Sequence, residues 1–157
     1  MSRDQIFELA WILPSIALPV AMLVAITVTA FGMGIHVPNI EGSIDPTTLA
    51  QSAQFKEPGI VQTAPKKYEV TMVAQTWQFR PNDIKVPAGS DVRFTITSQD
   101  VIHGIRIQGT NINAMIVPGV ITRVSARFDT PGEYLMVCHE YCGVGHHLMG
   151  SKIIVEP

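Results

Sequence analysis

The chain opens with a long unbroken apolar run, passes through a stretch with no period, and ends in a region of strict alternation. From Leu9 to Ile35 there are 27 residues without one Asp, Glu, Lys, Arg or His. A helix crossing the hydrocarbon layer of a membrane needs about 20 apolar residues, so the run predicts a membrane-spanning helix. Pro14 and Pro19 lie inside it. Each removes a backbone donor and bends a helix, which neighbouring helices can accommodate in a membrane bundle. A cleaved secretory signal is the competing reading, but its apolar core covers only about 7–15 residues behind a basic start. Here the start, MSRDQIFE, is mixed in charge, and a retained anchor is the expectation. Arg3 precedes the run and the first Lys or Arg after it is Lys56, which points to a cytoplasmic N-terminus with the bulk of the chain outside.

Residues 36–67 carry Pro, Gly, Ser and Thr without a sustained period. They predict a connector lying over the rest of the protein, with a short helix near Pro46–Gln51. From Tyr68 the texture changes. Tyr68, Val70 and Met72 alternate with polar residues, as do Val92, Phe94 and Ile96, and then Thr122, Val124, Ala126 and Phe128. Period two is the signature of a strand with one buried face. Glu133–Val137 and Ser151–Glu156 are shorter runs of the same kind, and Pro, Gly, Asn and Asp cluster at 80–83, 87–89, 118–119 and 130–132. Short strands at regular spacing predict an antiparallel sandwich or barrel. The organisation expected is an anchor over 1–36, a connector over 37–66 and a β domain over 67–157.

Composition sharpens this only in part. Hydrophobic residues make up 46% of the 157, an excess explained by the apolar run. Residues 67–157 hold eight Lys or Arg and eight Asp or Glu, so the β domain is near neutral and lacks the basic stripe of a nucleic-acid-binding protein.

The candidate chemistry is concentrated in CHEYCGVGHHLMG, residues 138–150. Cys138, Cys142 and His146 recur every four residues and Met149 follows three later, while Gly143, Gly145 and Gly150 supply bends. Two cysteines four apart cannot staple a whole domain, so they form a local disulfide or a metal site. A structural zinc would draw on Cys138, Cys142, His146 and His147, but zinc rarely uses methionine. A Cys138–Cys142 disulfide in an adhesion-type sandwich suits an oxidising compartment. A sulfur-rich copper site accounts for the methionine as well, because His and Cys with a weak axial Met mark electron-transfer copper. His103, in DVIHG after the Val92–Ser98 strand, can join the loop if the sandwich folds the two together.

DVIHG followed by H…C-x3-C-x3-H-x2-M resembles the binuclear copper (CuA) domain of cytochrome c oxidase subunit II. The resemblance covers residues 68–157, and the single anchor is similar to the short subunit II of B-type haem-copper oxidases. It implies an all-β, cupredoxin-like Greek-key sandwich or barrel preceded by one N-terminal transmembrane helix. It implies that Cys138 and Cys142 bridge two copper ions and that His103 and His146 each bind one. Met149 and the backbone carbonyl of Glu140 are then the weak ligands. His139 and His147 are bystanders, and Asp100 is either a support for the site or structural. In many family members a carboxylate at the position of Glu140 helps to hold magnesium against subunit I, and short relatives often lack it. Glu140 is then a magnesium ligand or a solvated side chain. Trp77, in QTWQF, is either the aromatic through which an electron enters or a core residue.

The function implied is electron inlet to a haem-copper terminal oxidase. Electrons arrive from a soluble c-type cytochrome or small copper protein and leave through His146 to haem in subunit I, for oxygen reduction to water with proton pumping. The partners implied are subunit I and a small single-helix subunit, and the location is the inner (plasma) membrane with the C-terminal domain periplasmic. A CuA subunit of a nitric oxide reductase would share every one of these features. A membrane-anchored copper-delivery protein would lack the distant His103.

Overall fold

A computed structural model describes residues 1–32 and 38–157. The last residues of the apolar run, 33–35, and the expected boundary at 36/37 lie outside the described residues. In chain order the elements are α1 (Arg3–Gly32), β1 (Asn39–Ser43), a 3-10 turn (Pro46–Gln51), β2 (Gly59–Ala64), β3 (Lys67–Gln75), β4 (Gln78–Arg80), β5 (Asp83–Pro87), β6 (Ser90–Ser98), β7 (His103–Ile107), β8 (Asn113–Ile116), β9 (Val120–Phe128), β10 (Gly132–Val137), a 3-10 turn (His146–Leu148) and β11 (Gly150–Glu156). The chain divides into two units, the helix and the β domain.

The helix starts on a reciprocal cap. Gln5 N–H donates to Ser2 Oγ at 3.2 Å and Ser2 N donates to Gln5 Oε1 at 2.8 Å, which satisfies two of the free donors of a helix start. Both prolines lie within the continuous helix, which buries no residue in the chain. The hydroxyls of Ser15, Thr27 and Thr29 turn back onto the carbonyls of Trp11, Leu23 and Ala25 at 2.7–2.8 Å, so these donors are not left bare in an apolar medium. The helix is long and apolar enough to cross a membrane.

The β domain is two sheets face to face. One has the order β1-β9-β6-β3-β2 with β4 beside β3, and the other β5-β11-β10-β7-β8. The chain passes from sheet to sheet several times, the Greek-key habit of a sandwich. Two pairings are parallel, β3 with β6 and β5 with β11. The purely antiparallel arrangement predicted from the strand spacing is therefore corrected. Alternation reports which face is buried, but not which strand lies beside which. The alternating positions do point inward: Val70, Met72, Val92, Phe94, Ile96 and Phe128 are at most 1% exposed. They pack against Ile105, Ile107, Met136 and Ile153 of the opposite sheet.

The stretch expected as a connector also contributes strands, since β1 and β2 form the two edges of the larger sheet. Between them, Leu49 and Phe55 lie over Val73, the one apolar residue of β3 that breaks the alternation. Asp45 caps the 3-10 turn, accepting from Thr47 N at 2.9 Å. Five strands carried weaker signals. β4, β7 and β8 have only three to five residues, too few to show a period, β5 begins inside the turn punctuation at Asp83, and β1 exposes all five of its residues.

Candidate metal centre

Three connections gather at one end of the sandwich: 76–77 between β3 and β4, 99–102 between β6 and β7, and the long loop 138–149 between β10 and β11. His103 opens β7 rather than closing β6, so the chain has already crossed to the smaller sheet when it presents the imidazole. Val137 pairs with Arg106 near the end of β7 in an antiparallel ladder, so the loop that follows sets out along β7 in the direction of His103. The loop is closed at its base by Cys138 N–H donating to Met149 O at 3.1 Å. It turns tightly at the far end, where His146 N–H bonds Gly143 O at 3.0 Å and Met149 N–H bonds His146 O at 3.1 Å.

The six candidate ligands come together there. The Cys138 and Cys142 sulfurs are 3.8 Å apart, and both cysteines are free thiols, so the geometry gives a disulfide no support. On one flank, Cys138 Sγ lies 3.9 Å from His103 Nδ1 and 3.2 Å from the Glu140 carbonyl oxygen. On the other, Cys142 Sγ lies 3.5 Å from His146 Nδ1 and 3.6 Å from Met149 Sδ. His103, Cys138 and Cys142 are all buried, with donor atoms within 4.8 Å of one another. Met149 is buried too, and His146 is half-buried at the rim.

The donor chemistry fits a soft metal. Two thiols, two imidazoles and a thioether suit copper, and oxygen-preferring ions would find one carbonyl only. A single tetrahedral zinc would leave the thioether and carbonyl unused. Each sulfur instead has its own imidazole and its own weak donor.

Electrostatics set the protonation of the metal-free site. Burial, then the neighbouring Cys138, push the Cys142 thiol up to about 11, so a metal must displace its proton on binding. Asp100 shows the opposite balance. Partial burial raises its pKa, but bonds from His103, Thr76 and Val101 outweigh that and bring it down to about 2. Its Oδ1 lies 2.8 Å from His103 Nε2. A carboxylate on that nitrogen holds the proton there and leaves Nδ1 with its lone pair facing Cys138. A depressed carboxylate stabilises the fold above its ordinary pKa of 3.8, and the contribution fades as pH falls toward about 2. Asp100→Asn is therefore expected to flatten the stability loss of the metal-free protein between about pH 5 and pH 2, as followed by denaturant midpoints.

The remaining candidates separate clearly. His139 Nδ1 lies 3.3 Å from Glu140 Oε1, and the His139 ring fills the space where a Gly104 side chain would be, 2.5 Å from the position of that Cβ. His147 is exposed. Trp77 is 46% exposed and lies over the loop, with Nε1–H donating to Cys142 O at 3.2 Å. Of the loop glycines, Gly143 has φ +112°, a left-handed value that favours glycine. Gly145 has φ −87° and needs no such freedom. It makes room for Trp77 instead, since a Cβ there would stand 2.7 Å from the indole Cγ. The sequence signal for that contact was absent, because a glycine reads as a bend unless its neighbour is known.

Residues 67–156 match the family model "Cytochrome C oxidase subunit II, periplasmic domain". Cytochrome c oxidase subunit 2 of Thermus thermophilus is 37% identical over 157 residues, covering 96% of this chain and 92% of the relative. A chain from a cryo-EM structure of a heme-copper terminal oxidase dimer superposes with a TM-score of 0.79 at 36% identity, over 95% of this chain and 99% of that one. The crystal structure of the periplasmic domain of subunit II of Bradyrhizobium japonicum cytochrome oxidase shares the fold, with a TM-score of 0.52 at 19% identity over 55% of this chain and 82% of that one. A β sandwich carrying this loop, matched over more than half its length by the family and over nearly all of it by a relative, belongs to the cytochrome c oxidase subunit II family.

Proposed function

We propose that this chain is the electron-receiving subunit of a haem-copper terminal oxidase and holds a binuclear copper (CuA) centre. The observation that carries the reading is the paired donor set, two sulfurs 3.8 Å apart with a separate imidazole beside each. Cys138, Cys142, His103 and His146 would hold the two metals, with Met149 and the Glu140 carbonyl as weaker donors. When bound, such a centre supplies a one-electron carrier that needs little ligand rearrangement between its two states. The protein's part is to hold the donors still: loop ends tied to two paired strands, a buried imidazole fixed by Asp100, and a half-buried one at the rim. Glu140's carboxylate already pairs with His139, so the reading assigns it no magnesium.

In this reading α1 anchors the chain in the plasma membrane beside subunit I and a small single-helix subunit, with the β domain on the periplasmic side. Electrons enter from a soluble c-type cytochrome or small copper protein near Trp77 and leave near His146 for haem in subunit I, where oxygen is reduced to water with proton pumping. The near-neutral domain, with Trp77, Tyr141, Val144 and Leu148 exposed around the loop, favours apolar donor docking over charge steering.

Purification of the tagged full chain from its membrane tests the complex. A haem-bearing partner that oxidises reduced cytochrome c and consumes oxygen supports the reading. A partner that reduces nitric oxide instead favours the alternative acceptor, and the absence of any haem partner contradicts both. Met149→Leu is expected to keep the copper while raising the midpoint potential by on the order of tens of millivolts or more, because a weak thioether donor would tune potential rather than affinity. Redox titration reads this directly.

A further inference from the structure

The connection between β3 and β4 touches both ligand-bearing segments at once. Thr76 N–H donates to Asp100 Oδ2 at 2.7 Å, while the other carboxylate oxygen of Asp100 holds His103 Nε2. The next residue, Trp77, donates its indole N–H to the Cys142 carbonyl at 3.2 Å. Asp100 is fixed further by Val101 N–H, which donates to its carboxylate at 2.7 Å, and by its own N–H, which donates to Ser98 Oγ at 3.3 Å. The indole rests against Gly145 and Gly143, where a Cβ would meet it at 2.7 Å from Cγ and 3.3 Å from Nε1 respectively. His103 opens β7 and Cys142 lies in the loop after β10, and residues 76–77 join them through side-chain and main-chain bonds that require no metal.

We propose that Thr76 and Trp77 form a clamp that assembles the site before copper arrives, with Trp77 acting as a positioning residue through its bond to the Cys142 carbonyl. The proposal rests on the assignment of His103 and Cys142 as ligands. It gives the tryptophan a role separate from electron entry. A ligand set held to within a fraction of an ångström depends on supporting bonds of this kind. One such bond corresponds to roughly a fivefold change in the opening equilibrium of the segment it restrains.

The test is amide hydrogen exchange on the copper-free full chain in detergent, for two variants that disturb the clamp by different routes. Trp77→Phe keeps a ring over the glycines and deletes the N–H. Gly145→Ala leaves the indole intact but displaces it, and at φ −87° the alanine adds no backbone strain of its own. Both are expected to speed exchange in residues 138–149 by about fivefold, with β3, β6 and β9 unchanged. Copper added afterwards is expected to bind at the wild-type stoichiometry with a broadened electron paramagnetic resonance spectrum. Wild-type exchange in the loop of both variants would overturn the clamp. Acceleration across the whole β domain would overturn it too, by showing that Trp77 is a general packing residue. Failure of the wild-type chain to bind copper would instead overturn the ligand assignment, while the exchange data on the metal-free loop would still decide whether the clamp exists.

Discussion

Cys142→Ser is expected to abolish the binuclear centre and electron transfer through this subunit. Cys142 lies at the middle of the donor set, in reach of the other sulfur, of His146 and of Met149 at 3.8, 3.5 and 3.6 Å. A serine hydroxyl fills nearly the same space, so the fold is retained. It is a hard, weakly acidic donor that does not bridge soft metals. Losing a partner outside the ligand shell typically costs about 10–100-fold in affinity or activity, and the loss of a residue that would itself hold the metal is expected to exceed that. Cytochrome c-driven oxygen uptake by the purified complex is the measurement. The expected result is uptake near background with circular dichroism unchanged. Wild-type turnover in this variant would remove Cys142 from the site.

Phe94→Ala is expected to be the most damaging of the core substitutions. Phe94 lies in β6, the middle strand of the larger sheet, in register with Val70 on one side and Val124 on the other. It is fully buried. Truncating a core phenylalanine costs about 3–5 kcal/mol, through lost apolar burial and the cavity left behind. That is a large share of the about 5–15 kcal/mol that holds a typical domain together. Chemical denaturation of the copper-free protein should show the unfolding free energy falling by this amount, seen as a lower midpoint at unchanged slope. Copper loading should recover part of the loss, because only the folded state gathers the ligands. A cost below about 1 kcal/mol would mean that the two sheets close over the gap far more freely than packed interiors do.

How much of this could be read in the sequence depends on the length of each signal. The apolar run and the strands β3, β6 and β9 declare themselves because each alternates or persists over nine residues or more. Strands β7 and β8 are invisible by the same test, with five and four residues, and β7 is the strand that carries His103. The loop was legible because its donors are close in sequence. The pairing of that loop with His103, 35 residues away, was supplied by resemblance to a family and not by any period or spacing. Parallel neighbours such as β3 and β6 have no local signature, because their register is set by crossovers through the opposite sheet. The bonds of Thr76 and Trp77 are of the same kind. A main-chain donor and an indole carry no pattern until the fold brings Asp100 and Cys142 to them.

The account rests on the two sulfurs belonging to one binuclear copper centre, and the direct test is to load the full chain with copper, count the metal and record its electron paramagnetic resonance spectrum. The expected result is two coppers per chain, with the hyperfine coupling of one unpaired electron shared between both nuclei. One copper with coupling to a single nucleus, or a colourless zinc-binding protein, would contradict it.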